Sequence, residues 1–217
     1  MRKFNGVFSA VVMDNIDPEN LGRVKVRLPQ IGESDKPGHE AWARLATLMA
    51  GPNRGTWFIP DINDEVLVAF EAGEVRRPYV LGSLWNAASL PPASMDATND
   101  KKLLRSRNGV KITLDDQNGQ EGFIVETPGG QSITLRDGPG SIEIADCNGN
   151  SVKFETAGIT VNASAKVTIN ASQVNISSGM VIVDAGMTKF SGVVQCDTLI
   201  SNSVVSANYT PGAGNIW

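Results

Sequence analysis

The chain has 217 residues, 41% of them hydrophobic, which is enough for one large or two modest folded domains. Its formal charge of -4 offers no basic footprint for neutralising phosphates, which argues against a general nucleic-acid binder. The 22 glycines fall at turn-like intervals rather than in a linker, a pattern that favours many short strands.

The first apolar run, Val7 to Met13, is short, broken by Ser9 and stopped by Asp14, so it reads as a strand and not as a signal peptide. Asp17 to Gly22 supplies a turn, and Arg23 to Leu28 alternates charged and aliphatic residues with period two, the mark of a strand with one wet face. Further strands are expected at Ala41 to Met49, Gly55 to Ile59, Glu65 to Phe70 and Tyr79 to Leu84. Short strands of this kind with no helical periodicity predict an all-β fold that begins with a small closed barrel of the OB type over residues 1–90. His39 is expected in a loop, Gly38 to Glu40.

After Leu90 the composition changes. A polar connector led by Pro91 and Pro92 is assigned to residues 91–104. The basic stretch Lys101 to Arg107 reads as a solvated junction and not as a phosphate groove. Beyond it, pairs of apolar residues separated by one polar residue recur: Ile112 and Leu114, Ile133 and Leu135, Ile142 and Ile144, Val152 and Phe154, Ile159 and Val161, Val167 and Ile169, Val174 and Ile176, Val181 and Val183. The last four start seven or eight residues apart, the earlier ones further apart with Gly-rich turns between them. Such short strands cannot bury their inward pairs within one chain, because a lone sheet leaves a row of aliphatics and both edges open. Three copies wound about one axis would close the structure, so residues 105–205 are predicted to form a triple-stranded β-helix.

Residues 206–217 break the repeat and end in an aromatic. Tyr209 and Trp217 are the candidate partner-binding residues: they either plug the trimer end, present a platform for a separate tip protein, or simply pack along the rod. Asp61, Asp64 and Glu65 form the densest acidic group, but in a Pro-Asp-Ile-Asn-Asp-Glu turn their expected work is backbone hydrogen bonding, not glycoside hydrolysis. Cys147 and Cys196 have no metal or redox spacing and are expected as free thiols of a reducing compartment. No run approaches the roughly 20 apolar residues of a membrane span, so the chain is expected to be made soluble. No catalytic residue, cofactor or metal ligand is predicted.

Four segments carry a resemblance. Gly22-Arg-Val-Lys-Val-Arg-Leu-Pro29, Trp42-Ala-Arg-Leu45, Gly55 to Phe70, and Arg77-Pro-Tyr-Val-Leu-Gly-Ser-Leu-Trp-Asn86 resemble, in that order, the OB-fold of the phage baseplate assembly protein V family. That family includes the central spikes of contractile tails and of type VI secretion systems, and the β-repeat resembles its needle. The resemblance implies a homotrimer on the tail axis with its barrels against a baseplate hub protein. It further implies a separate PAAR-like tip protein, transient contact with the target envelope on contraction, no nucleic-acid partner, and a place in the baseplate of a virion or injection particle. The short connector leaves no room for an inserted lysozyme domain, and with only His39 a His-x-His metal motif is lacking. The second reading carried forward is a trimeric tail-fibre-like module that binds or depolymerises polysaccharide. It expects clustered carboxylates and aromatics on the rod, where this sequence has mostly Thr, Ser, Asn and Lys.

Overall fold

A computed structural model describes residues 3–32 and 38–207. Among them the structure is all-β, with one 3-10 turn at Glu71–Gly73.

The first strands, β1 (Val7–Asp14), β2 (Val24–Leu28) and β3 (His39–Leu45), join β6 (Glu65–Phe70) and β7 (Pro78–Leu84) in a closed barrel of order β1-β2-β3-β7-β6. Neighbours run antiparallel except β3 and β7, whose parallel pairing at Arg44–Tyr79 and Leu45–Val80 closes the barrel. β1 serves two partners, its first half on β6 and its second on β2, and its register shifts between Val12 and Asp14. A bulge there bends the strand as closure requires.

Period-two alternation places Val24, Val26 and Leu28 of β2 and Val66, Val68 and Phe70 of β6 inside, together with Ala10, Val12, Ala43 and Val80. Each such Val or Leu, fully buried, contributes roughly 1.5–3 kcal/mol before entropy is counted. Phe4, Phe8 and Phe70 meet beside this core with ring centroids 5.4–6.1 Å apart. The β1–β2 turn is organised by Asp17, whose carboxylate accepts from the backbone N–H groups of Glu19, Leu21 and Arg23 and from the Arg23 guanidinium at 2.8 Å. At the entry to β3, Gly38 has φ +97°, and a Cβ there would lie 2.7 Å from the Leu28 carbonyl oxygen.

Two expectations are corrected. No strand forms over Gly55 to Ile59; a small hairpin of β4 (Ala50–Gly51) and β5 (Arg54–Gly55) stands there instead, followed by irregular chain. The apolar residues misled because Trp57 and Phe58 point to solvent and only Ile59 packs on the core. His39 lies not in a loop but at the start of β3, paired with Leu28.

The second part of the chain is a seven-stranded antiparallel meander in sequence order: β8 (Lys101–Arg105), β9 (Lys111–Asp115), β10 (Gly122–Glu126), β11 (Ser132–Arg136), β12 (Ser141–Ala145), β13 (Ser151–Glu155) and β14 (Gly158–Asn162). β8 falls on the segment assigned to the connector, because Lys101 to Arg105 pairs along its full length with β9. β10 brings a further apolar pair, Phe123 and Val125. Side chains pin the turns: Asp146 accepts from the N–H groups of Asn148 and Asn150 at 2.8 and 2.9 Å and from the Asn150 amide at 2.7 Å. After Asn162 the described chain forms no strand, and residues 167–217 make up a unit separate from the first 166. The described residues of that second unit are all exposed.

Candidate assembly face

Five-residue strands in exact antiparallel succession would be unremarkable if the sheet hid its apolar side, but it does not. Register lines up Leu114, Phe123, Leu135, Ile142, Phe154 and Ile159 in one cross-strand row. It lines up Leu104, Ile112, Val125, Ile133, Ile144, Val152 and Val161 in a second row two residues away on the same face. Within one chain most of these side chains are open to solvent, from 36% at Ile112 to 65% at Ile159. The opposite face carries Thr113, Asp115, Thr134, Glu143, Lys153 and Thr160, and on it Thr113 and Asp115 are buried. A single chain thus exposes its oil and covers part of its polar side. Contiguous apolar surface on this scale marks an interaction face.

The second row also lines a concavity of about 490 Å³, with Val125, Ile133, Ile144 and Val152 as its floor and Thr127, Gln131, Asp146 and Asn150 at its rim. The Asp146 carboxyl at that rim is lowered to about 2, first by the Asn150 side-chain amide and then by the Asn150 backbone N–H. The two sheet edges differ. β8 carries Lys101, Lys102 and Arg105, which discourage edge pairing, whereas β14 presents Gly, Ile, Thr, Val and Asn with no charge at all. In the second unit the pairs Val167 and Ile169, Val174 and Ile176, Val181 and Val183 are exposed by 56–73%.

The other sequence candidates have structural partners. Asp61 forms an ion pair with Arg107 at 2.9 Å, Asp64 accepts from the Asp61 N–H at 2.8 Å, and Glu65 accepts from the Asn86 amide at 2.6 Å. The Asp61–Arg107 pair ties the barrel to the β8–β9 turn. Lys102 of the basic stretch is held by Asp116 at 2.9 Å. Cys147 and Cys196 are exposed free thiols. Among the described residues no group of three His, Cys, Asp or Glu side chains converges on a metal-sized space. Tyr209 and Trp217 lie outside the described residues. The Phe123–Val125 pair was missed by the repeat, although its distance from Ile112 and Ile133 matches the spacing of its neighbours.

Comparison with known proteins bears on both halves. Residues 8–85 match the type VI secretion system/phage-baseplate injector OB domain, and residues 122–182 match the phage baseplate V C-terminal trimerisation domain. The chain belongs to the phage baseplate V spike family. The second match covers β10 to β14, where the apolar rows are exposed, and continues into the second unit as far as Ile182. Within the family the chain is 27% identical over 133 residues to the type VI secretion system spike protein VgrG1b of Pseudomonas aeruginosa, covering 57% of this chain and 18% of that protein. It is 28% identical over 113 residues to the spike protein VgrG3 of Vibrio cholerae, covering 49% of this chain and 11% of that protein. It is also 31% identical over 108 residues to the actin cross-linking toxin VgrG1 of Vibrio cholerae, covering 46% of this chain and 10% of that protein. The chain therefore spans less than a fifth of the length of these relatives.

Proposed function

We propose that this protein is the central spike of a contractile tail or injection apparatus, a homotrimer that joins the baseplate hub to a tip and pierces the target envelope on contraction. The observation that carries this reading is the exposed double apolar row, overlapping the match to a trimerisation domain. Three copies turning these rows toward a common axis would bury them, and each side chain moved from half-exposed to buried adds on the order of 1 kcal/mol. Summed over three chains this gives an obligate assembly in which folding and association are one process.

In this arrangement residues 1–90 form the hub-facing barrel, 91–104 the connection, 105–205 the needle, and 206–217 the end that meets a PAAR-like tip. Each meander supplies one wall of a prism, and from Val167 onward the strands complete a triple-stranded β-helix by pairing between chains. A rod without lateral edges shares compressive load among three chains, which suits a puncturing device. The role is mechanical, not catalytic, and its place is the baseplate of the particle.

The test is the solution mass of the purified chain by light scattering. A mass near three times 23.1 kDa, resistant to detergent, supports the spike. A stable folded monomer overturns it, since a monomer would have to keep its apolar rows in water.

A further inference from the structure

The barrel carries a second surface that the needle does not explain. We infer that a cleft on its outer wall binds an acidic peptide segment of a partner protein, with a carboxylate of that segment seated on Arg44.

The cleft encloses about 450 Å³ between β3, β7 and the β1–β2 turn. Its position follows from the parallel closure of the barrel. Trp42 and Arg44 alternate with the buried Ala43, so both project outward from β3, and the Arg44–Tyr79 pairing sets the Tyr79 ring beside them. The Arg44 guanidinium lies 5.5 Å from the Tyr79 ring centroid, and that of Arg23 lies 5.8 Å from Trp42. Leu21 and Pro78 complete an apolar wall.

The arginines around this cleft are not equivalent. Arg23 is fully engaged by Asp17 at 2.8 Å and Glu19 at 3.0 Å. Arg76 and Arg77 are shared with Glu74 and Glu71 at 3.4–3.6 Å, and both are largely exposed, so those pairs are long and readily exchanged. Of the four arginines that line the cleft, Arg44 is the one with no carboxylate within ion-pair distance among the described residues. Stacking on an aromatic ring leaves the edge of a guanidinium free, and that edge presents paired N–H donors matched to a carboxylate.

The composition of the walls selects the ligand class. One open guanidinium between Trp42, Tyr79, Leu21 and Pro78 fits a single carboxylate flanked by apolar side chains. A nucleic-acid backbone would call for several unpaired cations in a row, and the other arginines here already hold carboxylates. The inference is independent of the spike role, because the cleft is built within the barrel alone.

Calorimetric titration of the full chain with an acetylated, amidated hexapeptide alternating Glu and Leu tests it, with the Gln–Leu counterpart as control. Saturable binding of the Glu peptide is expected, weakened by added salt, together with none of the control. Arg44→Gln is expected to reduce affinity by about tenfold, the size of one charge-assisted pair, and Arg44→Lys by less because the charge survives without the fork. Arg44 is exposed, so both variants should keep the parent's melting temperature. Equal binding of the two peptides, no binding of either, or unchanged affinity in Arg44→Gln would each overturn the assignment. So would an oligothymidylate that binds more tightly than the peptide and loses that affinity in Arg44→Gln, since the site would then be one for phosphate.

Discussion

The meander of β8 to β14 and the segment from Val167 onward use the same grammar, an aliphatic pair straddling one polar residue, yet only the first forms strands within the chain. Spacing separates them. In the meander most successive pairs begin nine to eleven residues apart, which leaves room for a five-residue strand and a turn held by Asp146 or Ser106. Beyond Ile159 the interval is seven or eight throughout, which leaves a five-residue strand a corner of only two or three residues. The last hairpin, with only Thr156 and Ala157 between β13 and β14, already has this short corner and still pairs within the chain. In the proposed trimer, the backbone groups of the segment from Val167 onward find their partners in the other copies.

The largest effect should come from reversing the sense of the meander's two faces. Ile144→Asp places a carboxylate in the second apolar row, and in a trimer three such charges would be buried close together without partners, at a cost of several kcal/mol each. Light scattering should show loss of the trimer or insolubility. Thr134→Asp, on the opposite face of the neighbouring strand, should leave the mass unchanged. If the two variants behaved alike, the apolar rows would not be the assembly face.

An intermediate effect is expected from ending the chain after Lys166, which removes the short-period segment while keeping every strand described within the chain. Amide protection of Lys101 to Asn162 should persist, and resistance to detergent should fall sharply, since interchain pairing would then be confined to the prism walls. Full detergent resistance in this truncated chain would mean that the segment from Val167 adds no interlocking.

Much of this was legible in the sequence, for physical reasons that also explain the failures. Alternation along Arg23 to Leu28 and Glu65 to Phe70 is forced by the pleat, so the barrel strands could be read directly. The run Gly55 to Ile59 has strand-like composition, but Trp57 and Phe58 are turned outward, and composition does not say which face a residue serves. The partner-dependent character of the repeat was legible because a row of aliphatics needs a cover. What the sequence hid was the cleft at Arg44: Trp42 and Arg44 are neighbours, but Tyr79 reaches them only through the one parallel contact of the barrel. Such a pairing of distant segments leaves no local pattern.

The smallest effect isolates one turn of the longer spacing. Asp146 holds the β12–β13 turn by accepting from Asn148 and Asn150, and those bonds lower its carboxyl from 3.8 to about 2. A lowered pKa means that folding favours the ionised form, so the stabilisation is complete above the ordinary value of 3.8 and is lost as pH falls through about 2. Asp146→Ala should therefore melt a little below the parent at neutral pH, with the gap narrowing between pH 4 and pH 2. Because the carboxylate is only half-buried, the difference should be the least of the three, and the trimer should survive. A gap that stayed constant across this acid range would show that the turn is held by its backbone geometry, with Gly149 at φ +84°, and not by the Asp146 carboxylate.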